Sequence, residues 1–133
     1  MATINRKVRQ YKDFNLNFTA HPVTKDVTKI TDEDAIKASV KNLLTTNNYE
    51  RPFHPEIGCQ LHGLLFENFT PLTRDLMIKT IYTTIEKFEP RVTLTNLNIS
   101  EDADNNQLII DVYFRIKNTE KPITLTTAIT RVR

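Results

Sequence analysis

The sequence is poor in several residue types on which common functional sites depend. Among its 133 residues there is no tryptophan, and there are only two glycines and one cysteine. The single cysteine, Cys59, excludes an internal disulfide and suits a reducing cytoplasm. Two glycines, Gly58 and Gly63, are too few for a loop that cradles phosphates. Because no apolar run is long enough to cross a bilayer, the sequence predicts no membrane partner.

Basic residues are concentrated in the first part of the chain. The net charge is only +2, which does not by itself indicate nucleic-acid binding. Residues 1–30 nevertheless hold six lysines and arginines against two aspartates. We therefore predict a basic, partly extended N-terminal arm over residues 1–30, followed by a single α+β domain over residues 31–133. Residues 1–10 are polar and basic, so we expect no signal peptide.

Two amphipathic helices are predicted from apolar spacing and capping residues. The first begins after Thr31, whose hydroxyl is a candidate cap, with Asp34 at the capping-box position. Its apolar stripe consists of Ile36, Val40, Leu43 and Leu44. The second has Thr70 as its cap and Pro71 as its first residue, and it ends before Pro90. Between the two helices, the prolines at 52 and 55 predict an extended, stiff loop, and residues 61–66 predict a short helix.

An alternating apolar pattern replaces the helical one after Pro90. The alternation shifts by one position near Asn96, which predicts a β-bulge there. The clearest strand contains five alternating apolar residues: Leu108, Ile110, Val112, Phe114 and Ile116. Turn residues at 102–106 and 118–122 separate this strand from its two neighbours. The sequence thus predicts an α+β fold, a two-layer sandwich of two main helices and a short one on a three-stranded antiparallel meander.

The histidines and the cysteine are the candidate residues for a metal site or a catalytic cysteine. His54, Cys59 and His62 lie close together in sequence, with His21 farther away. Their spacing matches no common structural zinc site, and a Cys59–His62 pair lacks an identifiable orienting acid. We therefore interpret Cys59 as a core residue, and we predict no metal and no cofactor.

Other catalytic and binding chemistries have equally weak support in the sequence. Glu56, Glu67 and Glu89 could supply the carboxylates of a glycosidase, but solvated or ion-paired roles explain them better, and tryptophan for sugar stacking is absent. Tyr113 and Phe114 could stack on RNA bases, but adjacent strand residues point to opposite faces. We predict no catalytic residues and no nucleic-acid partner.

Glu89 is unusual because it follows the second helix, where the helix dipole disfavours an anion by about 0.3–1 kcal/mol. One interpretation is that Glu89 is solvated and that the penalty is trivial. The other is that Glu89 pairs with Arg91 or Arg51, so that Glu89-Pro90-Arg91 presents a rigid charged corner to a partner.

These motifs resemble the baseplate-wedge, sheath-initiator family of contractile phage tails and type VI secretion systems, which is historically labelled lysozyme-like. The resemblance rests on three segments in order: the run from Arg51 to Gly58, the run Leu64-Leu65-Phe66-Glu67, and Glu89-Pro90-Arg91. Upstream residues between Asp13 and Val27 also fit, so the resemblance covers about residues 13–130. Relatives often carry aspartate where this chain has His54, which puts a charged role at that position in doubt.

The resemblance implies a structural role in the virion, in a tail baseplate that is assembled in the host bacterial cytoplasm. It implies two partners, the other wedge proteins and the tail sheath protein. The implied surface for the wedge core consists of Glu89, Pro90, Arg91, Arg51, Pro52 and Phe53. The final strand, whose apolar residues alternate inward, is the predicted sheath-binding edge: Ile123, Leu125, Thr126, Thr127 and Ile129. Two alternatives stay open, a peptidoglycan-degrading tail enzyme and an RNA-binding α+β module.

Overall fold

The computed structural model describes residues 11–117 and 122–131. Within these residues, two short strands precede the first helix and three long strands follow the last one. The elements are β1 (Lys12–Phe14), β2 (Lys29–Thr31), α1 (Asp32–Thr45), α2 (Leu61–Leu64), α3 (Pro71–Phe88), β3 (Val92–Asp102), β4 (Gln107–Ile116) and β5 (Pro122–Thr130).

The three long strands form an antiparallel sheet in the order β3-β4-β5. Helix α3 packs on β3 and helix α1 packs on β5, so the helices cover one face of the sheet. All five alternating apolar residues of β4 are buried, and they meet the apolar stripe of α1, including Ile36 and Val40, in a single core. The predicted two-layer α+β fold is confirmed.

Part of the predicted N-terminal arm is folded as a small hairpin. Strands β1 and β2 pair antiparallel, with Lys12 opposite Thr31, and an isolated bridge joins Ala20 to Val27. Residues 1–10 of the arm lie outside the described residues. The division of the chain at residue 30 stays a prediction, because the hairpin also contacts α1.

The two predicted helix caps have different outcomes. The Thr70 hydroxyl accepts a hydrogen bond of 3.2 Å from the backbone N–H of Thr73, as predicted. The Thr31 hydroxyl makes no capping hydrogen bond, so that prediction was wrong. Thr31 is the last residue of β2, and the Asp32 carboxylate instead accepts a hydrogen bond of 3.1 Å from the backbone N–H of Tyr11. Strand pairing therefore replaces the capping box at the start of α1.

The loop between α1 and α2 is not extended, contrary to prediction. Residues 46–60 form a series of turns, in which the backbone N–H of Tyr49 donates to the carbonyl of Pro55 at 2.9 Å. The backbone N–H of Cys59 then donates to the carbonyl of Thr46 at 2.8 Å. These hydrogen bonds fold the loop back on the end of α1, since the prolines exclude helix but not tight turns.

The predicted bulge in β3 is confirmed. The register between β3 and β4 shifts between Leu94 and Asn96, where Leu94 faces Phe114 and Asn96 faces Tyr113. Because of this shift, Leu97 and Ile99 lie on the same buried face as Leu94. The first predicted turn, at residues 102–106, is present, whereas most of the second, at residues 118–121, lies outside the described residues.

Candidate partner-binding surfaces

Glu89 and Arg91 form a buried ion pair at the end of α3. Glu89 is the C-cap residue of α3 and is 3% exposed. Its carboxylate accepts two hydrogen bonds from the Arg91 guanidinium, one of which joins Nη2 to Oε2 at 2.7 Å. The hydroxyl of Ser39, on α1, donates a third at 2.6 Å. Glu89 is therefore not solvated, and its partner is Arg91.

The charges of this pair are mutually stabilised. Burial acts to raise the pKa of Glu89, but hydrogen bonds from Arg91 and Ser39 outweigh burial, so the pKa lies below its usual value. The hydrogen bond to Glu89 raises the pKa of Arg91. The Arg91 side chain remains 33% exposed, against 4% for Glu89. The ion pair therefore offers a partner the guanidinium and not the carboxylate.

Arg91 also connects the pair to the N-terminal hairpin. Its guanidinium carbon lies 5.2 Å from the centroid of the Tyr11 ring, a distance within cation–π range. Tyr11 is held in turn by Asp32, whose backbone N–H donates to the Tyr11 carbonyl at 2.7 Å. The Tyr11 ring, next to β1, and the Glu89 carboxylate, at the end of α3, thus both contact the Arg91 guanidinium.

The predicted wedge-binding loop lies beside this pair. Arg51, Pro52 and Phe53 are exposed, and Phe53, at 97%, has almost no contact with the rest of the chain. Arg51 forms no ion pair with Glu89 within the described part of the chain, but it lines a cavity of about 230 Å³. Its lining includes Asp13, Ser39, Asn42, Arg51 and Phe88. Ser39, which hydrogen-bonds Glu89, thus joins the two parts of the predicted surface.

The predicted sheath-binding strand, β5, lies at one edge of the sheet and pairs with β4. Ile123, Thr127 and Ile129 are buried, and Leu125 is half-buried. Thr126 is exposed, and its hydroxyl donates to the Asp111 carboxylate on β4 at 2.7 Å. The inward alternation predicted for this strand is confirmed.

The free main-chain groups of β5 follow from the pairing pattern. The backbone N–H of Arg131 donates to the carbonyl of Asn106 at 3.0 Å, and this pair continues the β4–β5 register. In an antiparallel sheet, hydrogen-bonded pairs alternate with pairs that are not hydrogen-bonded. The N–H and C=O groups that point away from β4 are therefore those of Thr124, Thr126, Ala128 and Thr130. Pro122 also faces away from β4. It has no N–H, and the pairing with β4 requires none at this position.

The histidines and the cysteine do not form a reactive cluster. Cys59 is fully buried, and burial raises the pKa of its thiol to about 11, so the thiol is protonated at neutral pH. His54 is exposed and lies 3.3 Å from the Glu56 carboxylate. Within residues 11–117 and 122–131, no three histidine, cysteine, aspartate or glutamate side chains are placed to hold a metal ion. No helix in that part of the chain is long and apolar enough to span a membrane.

A family model described as baseplate wedge protein gp25 matches residues 31–121. The chain belongs to this family. The match runs from the start of α1 to the segment before β5, so it includes the loop 51–53 and the Glu89–Arg91 pair.

One sequence relative and one solved structure are similar to most of the chain. The chain is 37% identical over 92 residues to the baseplate wedge protein gp25 of Enterobacteria phage T4, covering 69% of this chain and 70% of the relative. A candidate tail lysozyme from Geobacter sulfurreducens superposes with a TM-score of 0.71 at 25% identity, covering 76% of this chain and 92% of the other.

A more distant solved structure shares the fold of the gp25 family member. The baseplate of the anti-feeding prophage contains a chain that matches with a TM-score of 0.65 at 19% identity, covering 93% of this chain and 88% of the other. Since that match includes most of the chain, it extends beyond the segment of the family model.

The three glutamates considered as catalytic carboxylates do not have the properties of a glycosidase pair in this gp25 family member. Hydrogen bonding to its own backbone N–H lowers the pKa of exposed Glu56, and the pKa of Glu89 is also lowered. A general acid requires a raised pKa. Glu67 is exposed at the end of the α2 segment, apart from the buried ion pair. Phe114 is buried and Tyr113 exposed on opposite faces of β4, as predicted, so they form no stacking platform.

Sequence reasoning missed two residues of the charged corner, Ser39 and Tyr11. Ser39 lies on α1 beside the apolar residue Val40, and a polar residue next to an apolar stripe is weak evidence for a buried contact. Tyr11 lies in the arm that was predicted to be partly extended. Its contact with Arg91 depends on the hairpin, whose three-residue strands leave little periodic signal.

Proposed function

We propose that the chain is a structural subunit of a contractile-tail baseplate wedge, located in the virion and assembled in the host cytoplasm. Its partners are the other baseplate proteins and the tail sheath protein, and it performs no catalysis. The family match over residues 31–121 is the observation that carries the proposal. The lowered pKa values of Glu56 and Glu89, and the protonated state of the Cys59 thiol, support a non-catalytic role.

The wedge-binding surface consists of Arg51, Pro52 and Phe53 together with Glu89, Pro90 and Arg91. Three properties support this assignment. Phe53 is an exposed aromatic side chain, the type of residue that anchors protein interfaces. Arg91 offers its guanidinium while Glu89 keeps it in one orientation. The cavity that Arg51 lines has the size to admit one side chain of a partner.

The sheath-binding surface is the open edge of β5. Four residues of this strand direct main-chain groups away from β4 that have no partner in the described part of the chain, and Ile123–Thr130 contains no charged side chain. Natural edge strands are usually protected by charges, proline or bulges, so an unprotected edge supports strand addition from a partner. The first sheath subunit would extend the sheet beside β5.

Co-purification tests the proposal. The chain is expressed with the wedge proteins and the sheath protein encoded in the same genome, and wild type is expected to join the wedge complex. Phe53→Ala should lose most of this association. Leu72→Ala is the matched control, because Leu72 is also an exposed apolar residue (71% exposed) but lies at the start of α3. Failure of the wild type to associate would overturn the function, whereas equal loss in both variants would remove Phe53 from the interface.

A further inference from the structure

We propose that the sheet can receive a full partner strand at one edge only, because hydrogen bonds within the chain occupy the first half of the β3 edge, whereas no such bond is present at the β5 edge within the described residues. This inference rests on the proposed role of β5 in sheath binding, and it adds that the opposite edge of the sheet does not bind a full strand. The incoming strand is accepted beside β5, and β3 rejects a second one.

The outward groups of β3 follow from the same pairing rule that was applied to β5. The backbone N–H of Lys117 donates to the carbonyl of Arg91 at 3.0 Å, so this pair is hydrogen-bonded and the next, Val92 with Ile116, is not. Beyond the bulge, Leu97 pairs with Val112, whose main-chain groups point to β5. Ile99 and Glu101, in the second half of β3, therefore direct their N–H and C=O groups away from β4. In the first half of β3, Val92, Leu94 and Leu97 do the same.

Each of these three residues already uses one outward group within the chain. The N–H of Val92 donates to the carbonyl of Glu89 at 3.3 Å. The Tyr82 hydroxyl, from α3, donates to the carbonyl of Leu94 at 3.4 Å. The side-chain oxygen of Asn96 accepts the N–H of Leu97 at 2.9 Å. Together with the bulge, these hydrogen bonds prevent an added strand from pairing along the first half of β3, and only the outward groups of Ile99 and Glu101 are left for it to pair with.

Strand β5 has none of these protections within the described residues. Among residues 11–117 and 122–131, no side chain bonds to the N–H or C=O of Thr124, Thr126, Ala128 or Thr130, and the β4–β5 register has no shift. The core-facing side of the edge includes half-buried Leu125. A strand that fits this edge would place apolar residues beside Leu125 and uncharged residues beside the exposed threonines.

Closing one edge prevents the chain from polymerising with itself. With both edges open, β5 of one copy could pair with β3 of the next, and such head-to-tail contacts give open-ended assemblies. With β3 closed, self-pairing ends at a β5–β5 dimer. The open edge thus stays available for the sheath strand.

Amide hydrogen exchange in the free wild-type chain, diluted until it sediments as a monomer, tests the asymmetry directly. The amides of Val92 and Leu97 should exchange on the order of tenfold more slowly than those of Thr124, Thr126 and Ala128, because a hydrogen bond protects an amide even at a sheet edge. Exchange of Leu97 as fast as that of Thr126 would overturn the inference. This result does not depend on sheath binding, so failure of the proposed function would leave it unchanged. Added sheath protein should slow the β5 amides and leave those of β3 as they were.

Opening the edge gives the second test. Tyr82→Phe combined with Asn96→Ala frees the Leu94 carbonyl and the Leu97 N–H, and we expect assemblies larger than a dimer in sedimentation velocity as concentration rises. Tyr113→Phe is the control, since it removes the hydroxyl of an exposed tyrosine on the central strand. A folded opened variant that sediments like wild type at every concentration contradicts the inference, as does a wild type that already forms long assemblies.

Discussion

The Ser39 hydroxyl lies 2.6 Å from the Glu89 carboxylate and links α1 to the end of α3 across 50 positions of the sequence. This contact makes the Glu89–Arg91 pair part of the packing between the helices as well as part of a surface. From the sequence alone, an exposed pair would contribute only about 0.2–1 kcal/mol to stability. Because Glu89 is buried, the pair should contribute more than that to stability. Substituting Glu89 and substituting Arg91 should therefore have different effects on the free energy of unfolding.

We expect Arg91→Ala to destabilise the chain more than Glu89→Gln. Arg91→Ala leaves a buried carboxylate without its counter-ion, which costs about 3–5 kcal/mol of unfolding free energy. Glu89→Gln leaves a guanidinium that is partly exposed and can be hydrated, so the cost should be nearer ~1–3 kcal/mol. Urea denaturation followed by circular dichroism measures both. Equal losses, or a smaller loss for Arg91→Ala, would show that the carboxylate is better hydrated than its burial indicates.

The lowered pKa of Glu89 predicts a specific pH dependence of stability. A carboxyl group with a depressed folded-state pKa stabilises the protein fully above its unfolded pKa of about 4.3, and this stabilisation is lost as pH falls through the folded value. Wild type should therefore lose stability below about pH 4.3, and Glu89→Gln should lose less over the same range. Urea midpoints at pH 7, 5, 4 and 3 give the comparison. If the urea midpoints of the two proteins fall equally with pH, the acid sensitivity is due to other carboxylates.

Gly58 and Gly63 should respond oppositely to alanine. Gly58 has a φ of +147°, and a Cβ there would lie 2.6 Å from the backbone carbonyl carbon of Asn47. Gly58→Ala must therefore shift the turn that folds the loop onto α1, at a cost of about 1–3 kcal/mol. At Gly63, inside α2, a Cβ would meet nothing within 4 Å, so Gly63→Ala should be neutral or stabilising by up to about 1 kcal/mol. Thermal unfolding of both variants tests the contrast, and a stable Gly58→Ala would contradict the close approach.

The proposed non-catalytic role predicts that the purified chain does not degrade peptidoglycan. Neither Glu56 nor Glu89 has the raised pKa of a general acid. Turbidity of a cell-wall suspension should stay constant from acid to neutral pH, with an active lysozyme as the positive control. Clearing that disappears in Glu67→Gln or Glu89→Gln would establish a hydrolase instead.

The parts of the structure that could be predicted from the sequence are those with strong periodicity. The shift in alternation at Asn96 predicted the bulge, and Pro71 after Thr70 predicted the start of α3. The cap at Thr31 failed because pairing with Lys12, nineteen positions earlier in the chain, takes the place of a local cap. Local patterns contain no information on such contacts.

The charged corner was only partly predictable for the same reason. The motif Glu89-Pro90-Arg91 identified an ion pair two residues apart in the sequence, and that pair is present. The contribution of Ser39 and the contact of Tyr11 with Arg91 depend on how the hairpin and α1 pack together. Burial of Glu89, which decides its energetic role, therefore required the tertiary structure.

Proline substitutions in β5 should separate sheath binding from folding. The sequence alone predicts that proline at either Thr126 or Thr127 blocks strand addition at the β5 edge. The pairing pattern distinguishes them, because the N–H of Thr126 points away from β4 whereas that of Thr127 points to Ile110. Thr127→Pro removes a sheet hydrogen bond at a buried residue and should destabilise the fold by at least ~1–3 kcal/mol.

Thr126→Pro should fold, since proline is tolerated where a strand needs no donor, and baseplates containing it should join the wedge but lack sheath in electron micrographs. Thr126→Val is the matched control: it removes the hydroxyl that bonds Asp111 but keeps the N–H, so sheath should attach as in wild type. If folded Thr126→Pro supports normal sheath growth, main-chain pairing at β5 is not the sheath contact. Because hydrogen bonds within the chain occupy the first half of β3, the sheath would then have to bind through side chains or pair with the second half of that strand alone.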